Sequence, residues 1–122
     1  MTEREIKQAF YLSREILNGE RELLALKDTI RLKCGRHSSE DEVIQLAKQV
    51  NQLEERIEKC SLMREDIKNF VEGIDDEFLR QIIKCRYIDR LSWRDTAQIT
   101  GGYNSGNGLR EMVQRYFKTQ TN

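Results

Sequence analysis

The spacing of apolar and small residues constrains this chain more than any other feature of it. From Ala9 through Leu12, Ile16, Gly19, Leu23 and Leu26 to Ile30 the steps alternate three and four, the rhythm of a heptad seam along one face of a helix. It returns at Val43, Leu46, Val50, Leu53, Ile57 and Cys60 and runs on through Ile67 and Val71 to Ile74, with Arg64 its one polar member. No proline stands anywhere in the chain, so neither run meets the residue that most reliably breaks a helix. Asn18-Gly19 is the kind of dipeptide that makes turns. The seam nevertheless keeps its phase through Gly19, which predicts one unbroken helix whose glycine lets another backbone come close.

Between the runs lies Cys34-Gly-Arg-His-Ser-Ser-Glu-Asp-Glu42. Gly35 suits the left-handed closure of the first helix, and Ser39 with Glu42 three residues on is a capping-box start for the second. So short a connection makes the helices antiparallel neighbours. The expected fold is all-α: a long antiparallel helical hairpin of the coiled-coil type over residues 1–73, then a three-helix helix-turn-helix domain over 74–122.

The apolar stripes are wider than a two-helix seam requires. Phe10, Leu17 and Leu24 form a second column on the first helix, and Ile44, Ala47, Met63 and Phe70 lie off the seam of the second. Something must cover them. Either the C-terminal helices fold back, or two hairpins pair as a four-helix bundle; the reading favours a homodimer with Leu17 and Leu24 at the contact. Glu54, Glu55, Glu58 and Lys59 are solvated outer positions.

Hydrophobic residues are 38% and charged residues 34% of the 122, the composition of helical bundles and coiled coils. The net charge of zero conceals a split. Residues 1–77 carry thirteen Lys and Arg against eighteen Asp and Glu, whereas residues 78–122 carry eight against three. A basic half implies an anionic partner, and nucleic acid is the commonest large one. Cys34, Cys60 and Cys85 are odd in number and scattered, which argues for a reducing compartment rather than a disulfide framework. Cys34-x-x-His37 lacks companions at zinc-ligand spacing, so no metal is expected, and no cofactor either. Charges run through residues 1–20, without the apolar core of a signal peptide or the ~20 apolar residues of a membrane span. The expectation is a soluble cytoplasmic protein with no membrane contact. An enzyme is not expected: there is one histidine, no phosphate-cradling loop, and no nucleophile with a recognisable base.

Past Gly73, Asp75-Asp76-Glu77 puts acid at the positive end of a third helix, whose apolar face is Phe78, Leu79, Ile82, Ile83 and Tyr87. Asp89-Arg90 reads as a turn, and Ser92 with Asp95 as the N-cap of a fourth helix, with Trp93, Ala97 and Ile99 inward. Thr100-Gly-Gly-Tyr-Asn104 is the turn into a last helix capped by Asn104 or Ser105. There Leu109, Met112, Val113, Tyr116 and Phe117 point inward. Asn107, Glu111, Gln114, Arg115 and Lys118 point out, with Arg110 at their flank. That outward set suits the major groove: Arg110 for guanine, Gln114 or Asn107 for adenine, Glu111 for cytosine. Arg94, Arg115 and Lys118 are placed for phosphates, with Asn104 and Ser105 at the helix start. Tyr103 is expected in the core.

Ile82-Ile-Lys-Cys-Arg-Tyr87 followed by Leu91-Ser-Trp-Arg-Asp-Thr-Ala97 resembles the start of sigma-70 region 4-like helix-turn-helix domains, and more narrowly the small phage and prophage proteins of Gram-positive bacteria that join a helical segment to such a domain. The resemblance covers residues 74–118. It implies binding of double-stranded DNA by the helix that begins near Ser105, and regulation of late phage transcription. Three departures accompany it: Thr96 stands where an aliphatic residue is usual, the interval from Ala97 to Leu109 is long, and Gly106 and Gly108 open the recognition helix. Those glycines either bring backbone close to DNA or reduce base reading. Two other readings stay open: a DNA-packaging adaptor similar to a terminase small subunit, and a helical interaction module whose degenerate helix-turn-helix binds protein, with RNA polymerase the candidate.

Overall fold

The computed structural model describes residues 1–34, 39–102 and 104–120, Cys34 by its backbone alone. These residues are all-α: helices α1 (Glu3–Cys34), α2 (Glu40–Glu72) and α3 (Glu77–Ile83), a π turn (Lys84–Ile88), then α4 (Trp93–Thr100) and α5 (Gly106–Gln120). The expectations for Gly35, His37 and Tyr103, and the Cys34 thiol, lie outside the described residues.

Helix starts follow local side-chain chemistry, because each leaves orphan N–H groups that an oxygen nearby can satisfy. Thr2 Oγ1 accepts from Glu5 N at 3.2 Å and donates to Glu5 Oε1 at 3.3 Å, a cap that the heptad reading passes over. Ser39 Oγ accepts from Glu42 N at 3.3 Å, as its capping box predicts. Asp76 accepts from Leu79 N at 3.0 Å, Ser92 Oγ from Asp95 N at 3.0 Å, and Ser105 Oγ from Gly108 N at 3.1 Å. Of the two candidates for the last cap, Ser105 takes the role.

Helix α1 runs unbroken through Gly19. A Cβ there would lie 2.8 Å from Cγ1 of Ile57, so the glycine is required by the closeness of α2.

Packing divides the chain into two compact units, residues 12–63 and residues 1–11 with 64–122. The boundary expected near residue 73 follows chain order; the second unit instead takes in both outer ends of the long helices.

The unit of residues 12–63 is an antiparallel helix pair: Gly19 faces Ile57, and Lys27 Nζ pairs with Glu54 Oε1 at 3.5 Å, with both side chains about half exposed. Leu12, Ile16, Gly19 and Leu53 are buried, whereas Leu23, Leu26, Ile30, Val43, Leu46 and Val50 are only half-buried. The seam is as expected, but two helices alone cannot enclose it.

The other unit holds the deep core. Ile6, Ile82, Ile83, Leu109 and Val113 are fully buried, joined by Ala9, Ile67, Val71, Ile74, Leu79, Tyr87 and Phe117. A side chain of this class contributes about 1.5–3 kcal/mol when removed from water. The first turns of α1 thereby become part of the same core as α5.

Candidate nucleic-acid interface

The approach to α4 is built by Arg86. Asp89 N donates to Lys84 O at 2.9 Å and Leu91 N to Cys85 O at 3.0 Å, closing the wide π turn. Arg86 Nη1 donates to Leu91 O at 3.1 Å, while its Cζ lies 5.3 Å from the Trp93 ring centroid. Tyr87 and Trp93 meet edge to face at 6.2 Å. The guanidinium thus ties the turn to the first residue of α4. Its Nε is buried with no hydrogen-bond partner among the described residues. Arg90 follows at φ 65°, a left-handed backbone uncommon for a side chain of this size.

Helix α4 turns Trp93 and Ala97 inward as expected, but not Ile99. Ile99 is 65% exposed, and the fully buried residue is Thr96. Trp93 and Ala97 are half-buried. Four positions, Trp93, Thr96, Ala97 and Thr100, make the inner stripe at the three- and four-residue steps of a helix, and Ile99 lies off it. Thr96 therefore takes the aliphatic position with a hydroxyl attached, and its Oγ1 is buried without a partner among the described residues.

Gly101 and Gly102 carry the turn at φ 75° and 83°, a region that glycine enters without steric cost. Then α5 begins against α4. A Cβ on Gly106 would lie 3.2 Å from both the carbonyl carbon and the Cβ of Trp93, and 3.3 Å from Arg94 N. This glycine serves the crossing of the two helices. Gly108 is different: its added Cβ would meet only Ser105 Oγ, at 3.4 Å.

On α5, Leu109, Val113 and Phe117 are buried and Met112 and Tyr116 half-buried, the inward set expected. Asn107, Arg110, Glu111, Arg115 and Lys118 are exposed, and Gln114 is half-buried. Arg94, Gln98, Ser105 and Asn107 line one shallow groove where the end of the turn meets α4, which brings Arg94 to the start of α5. Asn104 is exposed in the turn. Arg115 lies on the opposite flank, beside Asp76, Leu79 and Thr119. Arg94, Arg110 and Arg115 make no ion pair among the described residues.

Three cations of the basic half are engaged by the fold itself: Arg80 donates to Ile74 O at 2.9 Å, Arg86 holds Leu91, and Arg90 lies with Cζ 3.3 Å from the Phe10 centroid. None of these three contacts is read from the sequence, which places Arg86 in the motif and Arg90 in a turn. Tyr87, expected as an apolar position, also has a polar role, donating to Glu3 Oε1 at 3.1 Å. Burial, then the Glu3 charge and hydrogen bond, push its phenol well above the usual tyrosine range, while Arg86 and Arg110 act in the other direction. Tyr116 is raised too, by burial first and by Asp75 second. Burial likewise raises the Cys85 thiol, with the Asp89 charge adding to it, which makes it a poorer nucleophile than an exposed cysteine.

No described helix is long and apolar enough to cross a membrane. Set against protein-family models, curated proteins and solved structures, the chain matches none.

Proposed function

We propose that the chain is a DNA-binding transcriptional regulator of the phage type, acting in the bacterial cytoplasm, with α5 in the major groove of double-stranded DNA. The observation that carries this reading is the composition of the outward face of α5. Asn107, Arg110, Glu111 and Gln114 offer the amide, guanidinium and carboxylate groups that read base edges. Arg94 on one flank and Arg115 on the other, with Lys118, are assigned to phosphates, and Ser105 and Asn104 to the helix start. The resemblance of residues 82–97 to sigma-70 region 4-like domains supports the same assignment.

A second copy of the chain is the partner this reading assigns to the helix pair of residues 12–63, where Leu17 is 48% and Leu24 65% exposed. One observation favours a protein contact as well. Ile99, 65% exposed on α4, suits an apolar contact with a partner such as RNA polymerase, the basis of the interaction-module reading.

Selection from a random duplex library with purified protein tests the proposal. An enriched sequence is expected, and Arg110→Ala is expected to weaken its binding by about 1–3 kcal/mol and relax one position. Arg115→Ala with Lys118→Ala should weaken all duplexes alike and lower the salt dependence. Unchanged mobility of every duplex at low salt would refute it and leave the interaction module.

A further inference from the structure

Lys7, Phe10 and Tyr11 of α1 and Arg86, Tyr87 and Arg90 of the π turn and its exit line an open cleft of about 350 Å³. All six belong to the unit of residues 1–11 and 64–122. Three are cations and three aromatic, an unusual concentration for a surface that the sequence assigns to a hairpin end. Among the described residues one carboxylate bonds to this lining: Glu3 accepts from Tyr87 at 3.1 Å and pairs with Lys7 Nζ at 3.5 Å. Glu3 is therefore shared between two partners, and the cleft keeps an excess of positive charge.

Arg90 is the informative residue. Its backbone adopts a left-handed conformation, at a cost on the order of 1 kcal/mol or more, and its guanidinium lies over Phe10 at 3.3 Å. The stacked face is satisfied by the ring. Its N–H donors, however, make no hydrogen bond among the described residues, and the side chain remains exposed. Tyr11, packed edge to face on Phe10 at 5.0 Å and 60% exposed, puts a hydroxyl at the rim. A planar fork with unused donors, an exposed ammonium and a phenol are the groups that hold phosphate oxygens. The cleft also reaches the start of α5, since Tyr87 and Arg86 lie against Trp93, whose Cβ would be 3.2 Å from a Cβ on Gly106.

We propose that this cleft is a phosphate site, in which Lys7 and Arg90 hold a backbone phosphate of the duplex that α5 engages, with the Tyr11 hydroxyl at the rim. This rests on the assignment of α5 to duplex DNA and extends that interface to the amino-terminal helix. Arg86, fixed on Leu91 and Trp93, positions the turn that carries Arg90.

Duplex affinity of the full chain across a salt series provides the test, with wild type compared to Lys7→Gln/Arg90→Gln. Each neutralised phosphate contributes roughly 0.9 to the slope of log affinity against log salt, so the double variant, which gives up one, should lose about 0.9, with equal weakening on unrelated duplexes. Lys7→Gln removes an exposed ammonium and its pair with Glu3 and carries the test should Arg90→Gln loosen the contact with α1: its slope should fall by part of that roughly 0.9, and Lys7→Arg should restore it. A wild type that binds duplex, with variants that keep its full slope, overturns the cleft site while leaving the α5 assignment intact. A wild type that binds no duplex removes both. A nucleoside monophosphate that binds the wild type and not the double variant, with duplex slopes unchanged, gives the cleft to a free ligand and overturns the proposal as stated.

Discussion

A Cβ on Gly106 would stand 3.2 Å from the Cβ of Trp93, closer than ordinary van der Waals contact, and the next nearest atoms belong to the α4 backbone. The glycine is therefore part of how α5 crosses α4, whatever α5 binds. Gly106→Ala is expected to destabilise the protein by about 1–3 kcal/mol, since backbone on the far side must shift. Gly108→Ala meets only Ser105 Oγ and should instead stabilise by up to about 1 kcal/mol, through helix propensity. Chemical denaturation of the two variants checks the contrast; equal effects would remove the packing role assigned to Gly106.

Thr96 hides a hydroxyl with no partner among the described residues. Thr96→Val keeps the shape and removes the uncompensated polar group, which costs on the order of 1–3 kcal/mol when buried. The variant should unfold at higher denaturant with an unchanged m-value. A loss of stability would mean that the hydroxyl is bonded in solution.

Tyr87 gives the fold an alkaline limit. Its phenol is raised in the folded chain by burial and by Glu3, so the folded state favours the protonated form. That contribution is complete below the unfolded tyrosine value of about 10 and declines as pH rises beyond it. Tyr87→Phe should cost about 1 kcal/mol at neutral pH for the lost hydrogen bond, yet lose less stability than wild type above pH of about 10. Parallel pH profiles for the two proteins would contradict this account.

Leu17 and Leu24 are exposed on α1 within the unit of residues 12–63. Replacing both with glutamate should leave helicity unchanged and convert a dimer to a monomer in sedimentation. A variant that stays dimeric places the subunit contact elsewhere.

Much of the fold is local chemistry and was legible as such. Ser39, Ser92 and Ser105 cap helices because a hydroxyl beside an orphan N–H is bonded with few other contacts needed. Gly19 was legible for a related reason: a helix that keeps its phase through a glycine has a neighbour close by. Ile99 is not an inward residue of α4 because it stands six positions after Trp93, roughly 120° around the helix from it, whereas Ala97 is on the same face. Helix α5 is longer than α4, and there the periodicity gives the inward set and, apart from the half-buried Gln114, the outward one.

The sequence by itself determined that the chain is all-α, where the long helices run, where the short ones start, and which side of α5 carries amides and charges. These follow from periodicity and capping within a few residues. Only the tertiary structure decided that Gly106 serves helix crossing, that Thr96 rather than Ile99 is buried, and that Arg86 and Arg90 are tied to rings. It alone brought Tyr87 to Glu3, 84 residues away in the chain, and so made the start of α1 part of the C-terminal core. Such contacts depend on how separate helices pack, and no local pattern encodes the partner that a side chain meets across that distance.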